Sequence, residues 1–241
     1  MKLFTGTIAY LPRPHKGLMD LTERSCKSSE QFKALGDVVA YHAQDALPMK
    51  PEVCSATHSC LVAADIREYY NGSLMGNWGQ LILDGFEGAH ADWTMFVSND
   101  VIWNEGAVDK VREYLETADP MTYVIVIPTA IFCLSRKLWE AMKPNWFEDY
   151  LPASWEDHDL ACQVWAAGGD AEWHAWDSFL THEIMGTIHN LGGDYRNGTN
   201  MANWKVNCDI YHRRWGTGWE SWGGKPSKEW VESVRRSPQR P

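Results

Sequence analysis

Four short segments carry residue types able to do chemistry. Ser98-Asn99-Asp100 follows the apolar run Trp93-Thr-Met-Phe-Val. If that run is a buried strand, it delivers an amide and a carboxylate at its carboxyl end, where open α/β sheets bind ligands. A carboxylate there can ligate a hard divalent cation and, through it, a diphosphate. Asn-Asp is equally a common turn dipeptide. Farther along, Ser154-Trp155-Glu156-Asp157-His158-Asp159 places three acids at the start of a helical pattern. Acids favour the positive end of a helix, but capping accounts for one or two of them more readily than for three. A carboxylate held partly desolvated beside a cation makes a suitable general base for a hydroxyl. His182 ends a short strand-like run and is a candidate metal ligand or a plain surface residue. Arg213-Arg214, inside Tyr211-His-Arg-Arg-Trp-Gly216, can grip phosphate oxygens through forked guanidinium contacts or form a solvated basic turn.

The elements that must position these groups follow from hydrophobic periodicity and from Gly and Pro punctuation. Strands are expected over residues 3–11, stopped by Pro12 and Pro14, and over 37–42, 59–66, 93–97 and 123–127. Residues 131–135 lead into a helix over 136–142. Further helices are expected over 22–35, 106–117 and 157–167, the last stopped by Gly168-Gly169. Residues 79–91 carry a helical pattern interrupted by Gly85. This alternation predicts an α/β fold with a mainly parallel central sheet flanked by helices. After residue 190 the rhythm is lost among Gly, Asn, Trp and Arg. Residues 191–241 therefore read as an irregular cap with a flexible tail over 237–241.

Composition narrows the function. The 241 residues carry a formal charge of -10, which argues against a broad basic face for nucleic acid. The six cysteines show no C-x-x-C pair, so free thiols in a reducing cytoplasm are expected. No charged leader and no apolar run near 18 residues point to a secreted or membrane-spanning chain. The 14 tryptophans suit either packing or stacking on the apolar faces of sugars and bases. The late cluster Trp204, Trp215, Trp219, Trp222 and Trp230 lies among glycines and charges, and is expected to do more than fill a core.

Taken in series, these segments resemble the GT-A glycosyltransferases, specifically the inverting family-2 type that includes rhamnosyl- and galactofuranosyl-transferase-like enzymes. The resemblance rests on Asn77-Trp-Gly79, Ser98-Asn99-Asp100, Phe132-Cys-Leu-Ser-Arg-Lys-Leu-Trp139, Trp155-Glu-Asp-His-Asp-Leu160, Ala166-Ala-Gly168, Thr181-His182 and Arg213-Arg214-Trp215-Gly216. It implies a Rossmann-like GT-A domain over residues 1–190, with 191–241 as a lid or acceptor segment. It further implies a nucleoside-diphosphate sugar donor, a divalent cation (Mn²⁺ or Mg²⁺), and transfer of a hexosyl or pentosyl group to a hydroxyl. That hydroxyl would belong to a glycan, a protein or a modified nucleobase, nucleic acid being the least favoured. By the resemblance Asp100 is the main metal ligand, Asn99 its neighbour on the ribose or diphosphate, and His182 completes the site. Asp157 is the base, Glu156 an orienting acid, and Arg213 or Arg214 neutralises the leaving group. Pro12 falls in the segment expected to contact the nucleotide, and Asp45, with Asp65 as rival, is the acid expected to read the nucleoside. Two other readings compete: a non-catalytic Trp-rich carbohydrate-binding protein, and a nucleotide-sugar hydrolase needing no acceptor.

Overall fold

The computed structural model describes residues 1–10, 15–44, 65–71, 79, 81–127, 130–142, 155–174, 176, 178–183, 201–219 and 226–236. Its centre is a seven-stranded sheet built from β1 (Leu3–Tyr10), β2 (Val38–Gln44), β3 (Asp65–Asn71), β4 (Trp93–Ser98), β6 (Thr122–Ile127), β7 (Ile131–Ser135) and β8 (Asp170–Trp173). The spatial order is β3-β2-β1-β4-β7-β6-β8. β1 runs parallel to β2 and β4, β2 to β3, and β6 to β8, whereas β7 is antiparallel to both its neighbours. The reversal has a local cause. The connection from Ile127 to Ile131 is far too short for the crossover that a parallel pairing needs. A separate two-stranded ribbon pairs β5 (Val101–Trp103) with β9 (Leu180–His182).

Side chains alternate across the sheet as a period of two requires. Along β4, Phe96 enters one buried cluster with Phe4, Tyr41, Tyr123, Phe132 and Trp165. Met95 and Val97 enter the other, with Val111, Leu115, Val124 and Cys133. Both faces are buried, so the strands read as continuous apolar runs. Helices cover the faces: α1 (Lys16–Ser29), α2 (Ala107–Thr117), α3 (Arg136–Met142) and α4 (Glu156–Ala166). In α2 the buried positions Ala107, Val111 and Leu115 recur every fourth residue, the stripe that a core-facing helix needs. After α4, Gly168 takes φ 82°, the left-handed stop its sequence predicted.

Some expectations shift. The first helix begins at Lys16 and tightens into a 3-10 turn over Glu30–Ala34. The third strand is described over Asp65–Asn71; residues 59–64 of the expected strand lie outside the described set. Gly85 marks a π turn over Asp84–Gly88, where a Cβ would stand 2.3 Å from Thr94 Cγ2. The turn is pressed directly onto the sheet.

The larger correction concerns the last fifty residues. They were expected to be irregular, and they contain α5 (Met201–Trp215) and α6 (Lys228–Arg236). Trp204, Cys208, Tyr211 and Trp215 recur at helical spacing, and tertiary packing of that stripe outweighs the weak propensity of the Asn and Trp around it. The expected tail over 237–241 lies outside the described residues. Among the described residues, no helix is long and apolar enough to cross a membrane.

Candidate functional site

β4 ends at Ser98, and Asn99 and Asp100 form the buried turn that follows. The Asn99 side-chain amide donates to Thr22 Oγ1 on α1 at 2.7 Å, so this residue anchors the turn to the first helix. The turn leads into β5, which pairs antiparallel with β9 so that Val101 sits opposite His182. The Glu183 backbone N–H donates to the Asp100 carbonyl at 2.9 Å, closing the end of the ribbon. As a result His182 Nε2 lies 3.5 Å from Asp100 Oδ1. Two residues far apart in sequence, each singled out as a metal ligand, are thereby neighbours at the carboxyl end of a central strand. Beside them Arg24 of α1 pairs with Glu183 at 2.8 Å, tying the same corner together.

The donor set is one carboxylate oxygen and one imidazole nitrogen. Among the described residues no third His, Cys, Asp or Glu joins them as a metal cluster. A carboxylate oxygen and an imidazole nitrogen are ligand types that a divalent cation accepts, so the chemistry of the pair is compatible with such an ion.

The acidic run lies at the start of α4. Trp155, which precedes the helix, is buried with φ 73°, a left-handed backbone that a non-glycine residue rarely adopts. Glu156 opens the helix. Asp157 is 3% exposed; its Oδ1 accepts from the His158 backbone N–H at 2.8 Å and lies 3.0 Å from His158 Nδ1. Asp159 points elsewhere. It is 1% exposed and accepts from Trp215 Nε1 at 2.6 Å, with Arg214 Nη1 at 3.4 Å. The third acid, which capping explained poorly, is the clasp between α4 and α5.

The two arginines part company here. Arg214 is held by Asp159, whereas Arg213 is exposed and lines an outer cavity of about 600 Å³ with Val206, Asp209 and His212. Pro12 and Asp45 lie outside the described residues. Asp65 opens β3 in the row of Val39, Gly6 and Phe96, within the sheet and short of its carboxyl edge.

The late tryptophans turn out to be mostly packing. Trp219 is buried with its ring 4.6 Å from His158, 5.3 Å from Trp165 and 6.1 Å from Trp230. Trp215 is bonded to Asp159, Trp204 alone is 43% exposed, and Trp222 lies outside the described residues. Beneath them burial, with the Asp159 charge second, pushes the Cys162 thiol well above its ordinary range, so it stays protonated. Sequence reasoning passed over His158 and the clasp role of Asp159. Asp159 and Gln163, bonded one helical turn apart, were a readable hint of an inward-facing polar pair.

No family model matches the chain, and no curated protein matches it in sequence. Solved structures share its fold. TarS from S. aureus superposes with a TM-score of 0.53 at 8% identity, covering 76% of this chain and 37% of that one. The mannosyltransferase PcManGT from Pyrobaculum calidifontis, in complex with GDP-Man and Mn²⁺, gives 0.50 at 13% identity, covering 72% and 55%. TarS 1-349 in complex with UDP-GlcNAc gives 0.50 at 8%, covering 75% and 58%. This chain thus spans only about a third to three-fifths of the length of the proteins it resembles. At such identities the likeness concerns architecture, and the architecture is the GT-A glycosyltransferase fold.

Proposed function

We propose that this GT-A-fold chain is a divalent-metal-dependent, inverting glycosyltransferase of the family-2 type, moving a sugar from a nucleoside diphosphate to a hydroxyl acceptor. The observation that carries the reading is the meeting of Asp100 with His182 at 3.5 Å, at the edge of the sheet where α/β folds bind ligands. Structures of the same fold bind GDP-Man with Mn²⁺ and UDP-GlcNAc, which supports a donor of that class.

In this reading Asp100 and His182 hold the cation, and Asn99 fixes the turn that presents Asp100. When bound, the ion would neutralise the diphosphate as it departs. Asp157 takes the proton of the acceptor hydroxyl. The freed oxygen lone pair forms the new bond to the anomeric carbon from the side opposite the diphosphate. The old carbon–oxygen bond breaks, its electron pair leaves with the nucleoside diphosphate, and configuration inverts. Arg213 is the arginine available to an incoming anionic group, since Arg214 is engaged by Asp159. Glu156 orients the acceptor, and residues 191–241 serve as the acceptor-side segment, with α5 packed on α4. With a net charge of -10, a glycan or protein acceptor is favoured over nucleic acid.

Calorimetry with UDP-, GDP- and dTDP-sugars, with and without Mn²⁺, tests the reading. Metal-dependent binding of one donor class is the expected result. If no nucleotide sugar binds in the presence of metal, the chain is not a glycosyltransferase of this kind.

A further inference from the structure

His158 has no part in the chemistry so far, yet two of its nitrogens approach the proposed base within 3.0 Å. Both of its donors, the backbone N–H at 2.8 Å and Nδ1 at 3.0 Å, converge on the same oxygen, Asp157 Oδ1. A carboxylate acting as the base of the proposed reaction can only accept, and in that reaction Nδ1 is the donor of this contact. Two bonds to one oxygen take up both of its lone-pair directions and fix the rotation of the carboxylate plane.

The imidazole is itself held on several sides. Trp155 lies 5.0 Å from it, Trp219 4.6 Å and Tyr211 5.8 Å, measured between ring centroids. Tyr211 Oη donates to the Trp219 carbonyl at 2.8 Å, which joins two of these rings to each other. The third ring, Trp155, sits in a sparsely populated backbone region that persists only where surrounding structure over-determines it. A histidine that merely capped α4 would need the backbone N–H and none of this box.

We infer that His158 is the positioning residue of the base: it holds Asp157 through Oδ1 and so sets the rotation of the carboxylate, and the aromatic box formed by Trp155, Tyr211 and Trp219 sets the orientation of the imidazole. The inference rests on Asp157 being the base. It also gives the C-terminal helices a role in the reaction, because Tyr211 belongs to α5 and Trp219 follows it directly. The box thus transmits the placement of α5 to a carboxylate on α4.

Two substitutions separate positioning from packing. His158→Phe keeps a ring in the box and removes the Nδ1 donor. His158→Asn removes the ring but keeps an amide N–H near the position of Nδ1. The assay is release of nucleoside diphosphate from UDP-GlcNAc or GDP-Man with Mn²⁺, water standing in for the acceptor and being deprotonated by the same carboxylate. For His158→Phe, kcat should fall roughly 10- to 100-fold, a part of the roughly 10²–10⁴-fold that a positioned base supplies. Donor affinity by calorimetry and the KM for donor should stay within about twofold. His158→Asn should recover most of kcat while melting at a lower temperature. A packing role predicts the reverse order, with Phe active and stable and Asn impaired, and that order overturns the inference. Should the Phe variant fail to fold, loss of kcat in His158→Asn with donor binding intact overturns it equally. Asp157→Asn, run in parallel, isolates the premise. If it retains release, Asp157 is not the base and the inference falls with it; if the wild-type chain binds neither donor, the proposed function has failed first.

Discussion

Asp159→Asn is the most direct probe of how the C-terminal helices are fastened. The substitution keeps the shape of the side chain and removes its charge, leaving Arg214 with only 15% of its side chain in solvent. Removing one partner of a buried ion pair costs about 3–5 kcal/mol, because the remaining charge loses that compensation. The 3.4 Å separation and the residual exposure of Arg214 argue for the lower end, about 3 kcal/mol. For a chain of this size each kcal/mol moves the melting temperature by roughly 2–4 °C, so a drop of roughly 6–12 °C is expected. Differential scanning calorimetry measures it. Trp215→Phe removes the Nε1–H donor at 2.6 Å together with part of the ring, and should cost at least roughly 1.5–3 kcal/mol, the range for bonds to charged groups. Because both changes touch one carboxylate, the double variant should lose clearly less than the sum of the two. A drop below about 2 °C for Asp159→Asn, or strict additivity in the double variant, would refute the clasp.

Other perturbations test the remaining features. Asp100→Asn and His182→Ala should each weaken donor binding at least about tenfold when Mn²⁺ is present and leave metal-free binding unchanged, as calorimetry can show. Trp219→Ala empties a buried ring site against His158 and Trp165, and should cost roughly 3–5 kcal/mol in urea unfolding. Gly36→Ala would bring a Cβ to 2.1 Å from the Leu3 carbonyl oxygen, a backbone atom that cannot swing away. A loss of roughly 1–3 kcal/mol is expected in the same assay. Burial holds the Cys133 and Cys162 thiols above their ordinary range. While both states keep these protons, the buried thiols cost nothing. Above about pH 8.5 the unfolded chain ionises its thiols and the folded chain does not, so stability should fall as pH rises. Urea midpoints across pH 7 to 10 check the direction, although other groups contribute to the slope. In thiol-labelling mass spectrometry, rapid modification of either cysteine in the native chain at neutral pH would contradict the burial.

Much of the site was legible because local rules placed it. The run at residues 93–97 ends where β4 ends, and that alone puts Asp100 at the carboxyl edge of the sheet. α2 and α3 could be bounded because their apolar stripes and flanking turns are local signals. Gly168 stopped α4 as its sequence suggested. What escaped depends on distant partners. Nothing near Asp159 announces that Trp215 and Arg214 will meet it, and nothing near His182 announces Asp100. α5 was hidden for a similar reason: its stripe gains meaning only once α4 supplies the surface it packs on. The late tryptophans were over-read, their number suggesting a sugar-binding face where the chain uses most of the described ones as packing.

The β5–β9 ribbon carries a consequence for the order in which the molecule is made. Synthesis runs from the amino terminus, and every described strand of the main sheet has left the ribosome once Trp173 has emerged. His182 arrives afterwards, on a strand whose sheet partner among the described residues is β5. The pairing closes a long loop, and the entropy of that closure is most easily met when the sheet beneath has already condensed. A nascent chain therefore displays Asp100 without its imidazole partner until the scaffold is assembled. Under the proposed function, cation capture would then be a late event, open only to chains that have already built the sheet on which a donor would rest.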